Sequence, residues 1–345
     1  MTIPTILTIL TIFFSLPMVA AVPPPDDARA IDFVVAELNC ENLFDCHHDS
    51  LKDDRDFLPD GAYRWTPQRY WRKTNNIARA ILACGERADG TTASPDLVAL
   101  CDVENDSVMT ALTRRSLLRQ ARYEYVITHS PDERGIDVAL LYSPLTFRLL
   151  GSSSIAIPQA EDMRPTRDIL HAYGVTITGD TLHVFVVHAP SRSKGVAATR
   201  QHRHLVASVL VQHLDTLRQQ SPHAAIIVAG DFNDYSGDES LRLLSDHRLT
   251  DVSAGARGSH GAEGTYKYQG EWGSLDHIFL SDTLLPSVAE CFVADKEFLL
   301  TEDTNYGGVQ PLRNLYGPKP YNGYSDHLPL VLRLRFNFSE LNSSH

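Results

Sequence analysis

The chain has 345 residues, 43% of them apolar, and a formal net charge of −12 at pH 7. That length can bury one large core or two modest ones, and the sequence shows no repeat, heptad or low-complexity tract. A protein with this negative charge repels polyanions, which disfavours long non-specific tracking along DNA. The repulsion is smaller for a small phosphorylated substrate.

Residues 1–21 have the features of a secretory signal peptide. Residues 3–21 are almost wholly apolar or hydroxylic and uncharged, and Val19-Ala20-Ala21 resembles a small-residue cleavage site. A proline run then begins a stiff spacer over residues 22–29. We expect cleavage near Ala20 or Ala21, a secreted or periplasmic protein, and no stable membrane span after cleavage. An uncleaved anchor is the alternative, because the segment just reaches the ~20 residues that a bilayer requires.

Strands and helices follow the spacer. Strands are predicted over residues 31–38, 96–103, 123–128, 136–142, 146–150, 169–178, 182–187 and 224–229, and near Thr265, Ile278 and Leu328. Helices are predicted over residues 67–84, 105–118, 195–219 and 239–244. The first helix takes Thr66 as its N-cap and has Pro67 in its first turn.

Two central strands are continuously apolar, Val184-Phe185-Val186-Val187 and Ile226-Ile227-Val228-Ala229. Such runs are buried on both faces. Because strands outnumber helices, the economical architecture is α/β, with two mixed β-sheets packed face to face and helices outside. We predict one domain over residues 30–336 and a C-terminal tail over 337–345.

The cysteines are Cys40, Cys46, Cys84, Cys101 and Cys291. An odd count with irregular spacing and no CxxC pair indicates neither a disulfide framework nor a zinc site. We interpret Cys40 and Cys101, at the ends of apolar strands, as packed core thiols. One bridge, for instance between Cys40 and Cys46, stays open.

Polar residues fall at strand ends in a regular way. Four of them follow an apolar strand: Asn39, Asp102, His188 and Asp231. Open sheets bind ligands at the carboxyl ends of their strands. Asp276 and the Asp326-His327 pair instead begin strands, so they reach the same edge if those strands run antiparallel to the others. Singly, each residue has an ordinary structural explanation, but one pocket would explain all of them together.

Two stretches carry the groups that metal-assisted phosphate hydrolysis needs. Gly230-Asp231-Phe232-Asn233-Asp234 ends a buried strand, and Ser325-Asp326-His327 begins one. One carboxylate can activate water, and an amide can donate a hydrogen bond to developing negative charge. A second carboxylate can lie next to a cation, and an imidazole can contact the phosphoryl group.

The order of these stretches resembles the endonuclease/exonuclease/phosphatase superfamily, which has the deoxyribonuclease I-like fold. The matching strings are Leu38-Asn39, Asp96-Leu97-Val98-Ala99-Leu100-Cys101-Asp102, Val187-His188-Ala189-Pro190-Ser191, Gly230-Asp231-Phe232-Asn233, Ser274-Leu275-Asp276-His277-Ile278 and Ser325-Asp326-His327. They cover nearly all of the mature chain. The resemblance implies a four-layer α/β sandwich of two packed mixed β-sheets flanked by helices. It also implies divalent-metal-dependent hydrolysis of phosphodiesters or phosphomonoesters.

The resemblance implies catalytic roles for five residues. Asp231 would orient or deprotonate the attacking water, and Asn233 would donate to the phosphoryl oxygens. His327, held by Asp276, would stabilise the pentacoordinate state. His188 would contact the phosphate or serve the leaving group.

The metal-facing positions implied by the resemblance are Asn39, Asp102 and Asp326, with Mg²⁺ as the expected ion. The family carries Glu where this chain has Asp102, so this carboxylate is one methylene, or ~1.5 Å, shorter. Mg²⁺ demands near-octahedral oxygen ligands, and a misplacement of ~1 Å can cost on the order of 100-fold in rate. A backbone shift or a bridging water could restore contact, or Mn²⁺ or Ca²⁺ could be preferred. We interpret Glu104, two residues further on, as structural rather than as a substitute ligand.

Candidate substrate-binding residues are Arg134, Arg192, Tyr266, Lys267 and Trp272. Aromatic residues interleaved with cations suit a nucleotide base and its phosphate, with ordinary hairpin packing as an equal alternative. Arg192, just after His188, is the better phosphate candidate. Residues 301–323 are rich in Gly, Pro, Asn and Tyr and lead directly into Ser325-Asp326-His327, so we predict a specificity loop or lid.

Three functions remain open at this point. The first is a secreted, monomeric, Mg²⁺-dependent phosphodiesterase whose phosphoester substrate is nucleic acid or a nucleotide. The second is a phosphomonoesterase or lipid-headgroup phosphodiesterase on the same scaffold. The third is a non-catalytic binding protein with a decayed metal site. Only Asp102 favours the third. The retention of the other site residues speaks against it, because a binding protein needs no carboxylate to accept a proton from water; these residues are Asp231, Asn233, Asp276, Asp326 and His327.

Overall fold

The computed structural model describes residues 30–86, 91–193, 195–317 and 319–337. The predicted signal peptide, the spacer and the tail beyond residue 337 lie outside the described residues. Within the described ranges, no helix is both long enough and apolar enough to cross a bilayer.

Six strands form the first sheet: β1 (Ala30–Leu43), β2 (Leu97–Val103), β3 (Glu124–Ile127), β4 (Asp137–Tyr142), β13 (Val288–Val293) and β18 (Leu330–Asn337). Their spatial order is β13-β18-β1-β2-β4-β3. β1 and β2 run parallel, and β18 runs antiparallel to β1. The carboxyl ends of β1 and β2 and the beginning of β18 therefore lie at one edge.

Six strands also form the second sheet: β5 (Phe147–Ile155), β6 (Ile169–Thr176), β7 (Thr181–His188), β8 (Ala225–Asp231), β9 (Leu249–Asp251) and β12 (Asp276–Ser281). Their order is β5-β6-β7-β8-β12-β9. β7 and β8 run parallel, and β12 runs antiparallel to β8. The mixed character predicted for the sheets is confirmed.

Within the described residues, four α-helices accompany the sheets: α1 (Pro67–Ala83), α2 (Asp106–Thr110), α3 (Val196–Gln220) and α4 (Glu239–Asp246). The hydroxyl of Thr66 accepts a hydrogen bond from the backbone N–H of Arg69 at 3.4 Å, as the sequence predicts for an N-cap. The prediction of one continuous helix over residues 105–118 is wrong. After Thr110 the chain forms a π-helical turn, and then Ser116 is extended and caps a new short helix by accepting from Leu118 N at 3.0 Å.

The two continuously apolar strands are buried on both faces because successive side chains point to opposite sides of a sheet. Val184 and Val186 of β7 join the core between the two sheets. Phe185 and Val187 join a second core, to which α3 contributes Leu210 and Leu214 and α4 contributes residues of its own. The four-layer order of helices, sheet, sheet and helices thus follows from the alternation within single strands.

Three small hairpins lie outside the main sheets. They are β10 (Tyr266–Tyr268) with β11 (Glu271–Gly273), β14 (Leu300–Glu302) with β15 (Val309–Pro311), and β16 (Leu315–Tyr316) with β17 (Lys319–Pro320). The segment over residues 301–323, predicted as a loop, therefore contains two hairpins. All five cysteines are free, and Cys40 and Cys101 are buried, as predicted.

Candidate active site

The strand ends of both sheets meet at one edge of the molecule. Asn39 lies near the end of β1 and Asp231 ends β8, and the side-chain amide of Asn39 donates to Oδ2 of Asp231 across the sheets at 2.9 Å. Asp276 opens β12 directly opposite Asp231 in the antiparallel register. The hydroxyl of Ser325 donates to the carbonyl of Asn39 at 2.6 Å, which draws the segment before β18 to the same place. The edge predicted from the sequence exists because β12 and β18 are antiparallel to their neighbours.

Three hydrogen bonds hold the carboxylate of Asp231 in place. Its Oδ1 accepts from the backbone N–H of Asn233 at 2.8 Å, and its Oδ2 accepts from the side-chain amides of Asn39 and Asn233 at 2.9 and 3.1 Å. Burial, reinforced by the nearby charge of Asp276, raises the pKa of Asp231 to about 7. A carboxylate with a pKa close to neutrality is suited to accept a proton from water.

Gly230 permits the close approach of β7 to β8 beside Asp231. Its φ is +147°, and a Cβ atom built there would lie 1.9 Å from the carbonyl oxygen of Val187. Any larger residue would push the two strands apart and displace Asp231, since β8 carries both residues.

Asn233 holds Asp231 in place rather than facing a ligand. It adopts a left-handed backbone conformation with φ +51°. Its side-chain amide donates to the carbonyl of Ala189 at 3.0 Å and to Asp231 at 3.1 Å. Both amide hydrogens are thus directed at protein acceptors, which argues against the predicted contact with the phosphoryl oxygens.

His327 and Asp276 form a buried hydrogen-bonded pair. Nδ1 of His327 lies 2.7 Å from Oδ2 of Asp276, and the hydroxyl of Thr265 donates to the same oxygen at 2.5 Å. Burial opposes a charge on the imidazole, but the Asp276 carboxylate outweighs it, and the pKa of His327 is raised well above its ordinary value. The raised pKa favours the imidazolium form of His327 at neutral pH. Its Nε2–H has no hydrogen-bond acceptor among the described residues and can act as a donor on the cavity side.

His188 lies between the two sheets at the end of β7. Its Nδ1 is 3.7 Å from Oδ1 of Asp102 and its Nε2 is 3.6 Å from Oδ2 of Asp231. Burial, with the cationic Arg167 and Arg134 nearby, lowers the pKa of His188 well below its ordinary value. A neutral imidazole at this point can donate from one nitrogen and accept at the other.

Asp102 adopts a left-handed backbone conformation, with φ +65°, at the end of β2. Its Oδ2 accepts from the backbone N–H of Asn42 at 3.0 Å. Its Oδ1 is buried and, among the described residues, accepts no hydrogen bond, although Arg134 Nη2 lies 3.7 Å away. Glu104 does not share this position, because its carboxylate accepts from the backbone N–H of Asp45 at 2.6 Å in a neighbouring loop.

The oxygen-bearing side chains predicted to face a metal fit a hard divalent cation. Asn39, Asp102 and Asp326 belong to the adjacent strands β1 and β2 and to the segment that enters β18, all at the same edge. An unpartnered buried carboxylate oxygen such as Oδ1 of Asp102 is unfavourable, and a bound cation would satisfy it. Carboxylate and amide oxygens are the ligands that Mg²⁺ and Ca²⁺ prefer.

A second group of side chains at this edge is compact. Asp231, Asp276 and His327 have potential ligand atoms within 4.8 Å of one another. The hydrogen bond between His327 and Asp276 accounts for much of this proximity, and an imidazolium does not ligate a metal. The chemistry of these three residues therefore suits proton transfer, and the oxygens of Asn39, Asp102 and Asp326 suit a cation.

The match to a family model settles the relationship of this chain to known proteins. The model of the endonuclease/exonuclease/phosphatase family matches residues 34–336. The chain belongs to this family. Members of the family are hydrolases that act on phosphoesters and typically depend on a divalent metal. No curated protein matches the chain.

Solved structures share the fold at low sequence identity. An endonuclease/exonuclease/phosphatase family protein from Bacteroides thetaiotaomicron is 17% identical, with 89% of this chain and 99% of that chain covered and a TM-score of 0.56. The mannosyl-6-phosphatase of B. thetaiotaomicron VPI-5482 is 16% identical, with 88% and 100% covered and a TM-score of 0.57. Truncated TDP2 of Caenorhabditis elegans is 14% identical, with 88% and 97% covered and a TM-score of 0.55. These similarities support the deoxyribonuclease I-like fold predicted from the sequence.

A cavity of about 810 Å³ opens over this edge. The predicted catalytic and metal-facing residues that line it are Asn39, Asp102, His188, Asp231, Asn233, Asp326 and His327. Asp276 is fully buried behind His327 and does not line the cavity. The structure thus brings the predicted set together, with Asp276 in a supporting position.

Three of the predicted substrate-binding residues line the cavity: Arg134, Arg192 and Tyr266. Tyr266 packs its ring 4.9 Å from that of His327, and burial raises its pKa to about 12. Arg192 is already engaged, because its Nη2 donates to Asp238 at 2.8 Å and to Asp234 at 3.3 Å.

The substrate role predicted for Lys267 and Trp272 does not agree with their positions. Neither residue lines the cavity. The ammonium group of Lys267 lies 2.8 Å from Asp303 Oδ2 and donates to the carbonyls of Gly307 and Val309 at 3.0 and 3.1 Å. Lys267 therefore attaches the β14–β15 hairpin to β10, and Trp272 lies beside its ammonium group.

Sequence reasoning missed two residues of the site, Glu41 and Arg313. Both line the cavity, and Nε of Arg313 lies 3.4 Å from Oε1 of Glu41. Glu41 follows Asn39 by two residues, and Arg313 lies within the segment predicted to control specificity. Those positions were the only available signals, because the contact joins residues 272 positions apart.

Proposed function

We propose that the chain is a divalent-metal-dependent phosphodiesterase that attacks its substrate with a water molecule activated by Asp231. The observation that carries the proposal is the meeting of two buried groups at one edge. One is a carboxylate whose pKa is about 7, and the other is the imidazolium of His327 held by Asp276. A base and a cationic donor facing one cavity are what hydrolysis of a phosphoester requires.

Asp231 handles the attacking water in this mechanism. The amides of Asn39 and Asn233 fix its carboxylate, so the base does not reorganise during the reaction. It accepts one proton from water as the oxygen–phosphorus bond forms. The phosphorus–oxygen bond to the leaving group then breaks, and the departing oxygen takes a proton from solvent.

His327 and His188 face the phosphoryl group. Nδ1 of His327 is bound to Asp276, which leaves Nε2–H directed to the developing charge on the phosphoryl oxygens. His188 is neutral and lines the same cavity, so it can donate a second hydrogen bond to phosphate without adding charge. The backbone and amide contacts of Asn233 keep the base aligned between them.

Asn39, Asp102 and Asp326 would hold the cation, and Mg²⁺ is the proposed ion. When bound, it would neutralise charge on the phosphoryl oxygens. Because the carboxylate of Asp102 is shorter than that of Glu, Mn²⁺ or Ca²⁺ is the alternative ion.

A phosphomonoesterase is the second candidate. Arg134 and Arg192 line the cavity and could bind the dianionic phosphate of a monoester. One structural neighbour is described as a mannosyl-6-phosphatase and another as TDP2, so the fold accommodates more than one activity. On the basis of the signal-like residues 1–21 we also propose that the protein acts outside the cytoplasm, and the monomer stays a prediction.

The test compares wild type with Asp231→Asn on bis-(p-nitrophenyl) phosphate and p-nitrophenyl phosphate, with Mg²⁺, Mn²⁺ or Ca²⁺. We expect the diester to be hydrolysed faster with at least one ion, and the variant to lose on the order of 100-fold to 10⁴-fold in rate. Asp215→Asn, at a half-exposed carboxylate on α3, is the matched control and should retain full activity. Faster hydrolysis of the monoester would favour the second candidate. The absence of any metal-dependent hydrolysis would favour the non-catalytic binding protein.

A further inference from the structure

The segment between β14 and β18 forms one wall of the cavity. Its two hairpins are attached to the rest of the molecule at separate points, one of which is the contact of Lys267 with Asp303 and with the carbonyls of Gly307 and Val309. A second attachment is made by α1, where the side-chain amide of Asn76 donates to the carbonyls of Asn322 and Gly323 at 3.1 and 2.6 Å. Specific contacts therefore hold this segment in place, and it is not an unsupported lid.

Glu41 provides the third attachment. Its carboxylate accepts from the backbone N–H groups of Asn314 and Leu315 at 2.6 and 3.3 Å, and from Nε of Arg313 at 3.4 Å. Glu41 is almost fully buried, and the fully buried ammonium group of Lys73 lies 4.0 Å from it on the other side. The position of Arg313 is thus set by buried charge, independently of the cavity contents.

Arg313 presents a partly free guanidinium group to the cavity. Its Nη2 donates to Oδ2 of Asp326 at 2.9 Å, and its side chain is 36% exposed. Among the described residues, no acceptor is hydrogen-bonded to Nη1. The guanidinium plane also lies 5.7 Å from the ring of Tyr316, itself exposed. A guanidinium fork with one unused edge can bind the oxygens of a phosphate group.

A bound cation would reduce the negative charge that compensates the guanidinium group of Arg313. Without a cation, Asp326 and Glu41 compensate the guanidinium group. A divalent ion shared by Asp326 would draw on the same carboxylate and leave Arg313 with less compensation on the cavity side. That wall would then attract an anion beyond the one undergoing hydrolysis, which is already faced by His188 and His327.

We propose that Arg313 is a specificity-determining residue that binds a second phosphate group of the substrate, next to the phosphoester that is cleaved. The inference rests on the proposed function and deepens it. The substrate class is then a phosphoester that carries an additional terminal phosphate, such as a phosphorylated dinucleotide, rather than a singly charged diester.

The experiment compares TpT with its 5′-phosphorylated and 3′-phosphorylated forms, pTpT and TpTp, on wild type, Arg313→Gln and Arg313→Lys. We expect wild type to prefer one phosphorylated form by about tenfold to 100-fold in kcat/KM, the range for a charge-assisted hydrogen bond. Arg313→Gln should reduce this preference ratio to about 1, and Arg313→Lys should retain part of it. Arg114→Gln, in an exposed ion pair with Glu124, is the control and should keep the wild-type ratio.

Binding is measured in parallel by calorimetry on Ca²⁺-loaded Asp231→Asn protein, so that a lack of turnover does not prevent a result. Equal affinity for all three dinucleotides would overturn the inference. An equal fractional loss of kcat/KM on all three substrates in Arg313→Gln would also overturn it, since Arg313 would then act only through Asp326. Phosphate-dependent binding without hydrolysis would support the role of Arg313 and refute the proposed function.

Discussion

The Nδ1 atom of His327 lies 2.7 Å from Oδ2 of Asp276, although the two residues are 51 positions apart. Asp276 is fully buried and His327 nearly so, and the hydroxyl of Thr265 donates to the same carboxylate oxygen at 2.5 Å. This arrangement holds the imidazole in one orientation and keeps it protonated. It also explains why Asp276 influences the cavity without lining it.

Asp276→Asn tests the charge of this pair. Because the carboxylate raises the pKa of His327, the imidazolium persists to high pH in the wild type, and the alkaline loss of activity comes late. Replacement by an amide should lower that pKa, so that activity falls as pH rises through a lower value, with a loss on the order of 100-fold at the optimum. The measurement is the pH profile of kcat/KM. Thr265→Val keeps the carboxylate and should move the alkaline limb less. If the alkaline limb of the pH profile is unchanged in Asp276→Asn, protonated His327 is not required for activity.

Asp102→Glu restores the longer carboxylate of the family. The unpartnered Oδ1 of Asp102 faces Arg134 and His188 at 3.7 Å, so one further methylene would extend the group toward the cavity. We expect Mg²⁺-dependent activity to be kept or raised, and the preference for Mn²⁺ over Mg²⁺ to fall. Initial rates with each ion at saturating concentration provide the measurement. A large loss of activity with every ion would indicate that the shorter side chain is matched to its surroundings.

Glu41→Ala tests the buried charges beneath the cavity wall. The substitution leaves the ammonium group of Lys73 buried without its carboxylate partner and removes the acceptor of two backbone N–H groups. The free energy of unfolding should fall by about 3–5 kcal/mol, as measured by urea denaturation. The double variant Glu41→Ala with Lys73→Met should be less destabilised than the single variant, because it removes the unpaired charge. Glu124→Gln, from an exposed ion pair, should change stability by less than ~0.5 kcal/mol.

His277 and Asp251 make stability depend on pH. Burial opposes a charge on His277, but the 3.0 Å contact with Asp251 outweighs burial and raises the pKa of His277. Burial also opposes a charge on Asp251, but the same contact outweighs it and the pKa of Asp251 is lowered. The contribution of His277 is complete below its unfolded pKa of ~6.5 and is lost as pH rises through its folded pKa. The contribution of Asp251 is present above ~3.9 and is lost as pH falls through its own folded value. We therefore expect Asp251→Asn to lower the free energy of unfolding more at pH 6 than at pH 9. An equal effect at both values would show that His277 is neutral in the folded protein.

Local signals predicted much of the fold. Thr66 and Pro67 marked the start of α1, and the apolar runs in β7 and β8 marked the central strands. Elements with weak local signals were not found. β13 neither alternates polar and apolar residues nor forms an unbroken apolar run, and the hairpins of residues 300–320 are too short to show a period. The helix after Asn105 breaks at Ser116 because its hydroxyl competes with the helical hydrogen bonds.

The candidate site shows the same division. The residue types and their positions at strand ends were visible in the sequence, since an apolar strand followed by Asp, Asn or His is a local pattern. The partners of those side chains were not visible. Lys267 was predicted to bind substrate, yet its ammonium group is bound to Asp303, and Arg313 was missed although it contacts Asp326.

By itself the sequence determined the central strands, the family and the set of acids, amides and imidazoles available for chemistry, because each of these is visible in a short stretch of chain. Only the tertiary structure decided which groups touch: that Asn39 and Asn233 hold Asp231, that Asp276 supports His327, and that Glu41 fixes Arg313 beside the cavity. The physical reason is that hydrogen bonds and ion pairs depend on distances of a few ångströms. Those distances are set by sheet pairing and packing between residues far apart in the chain.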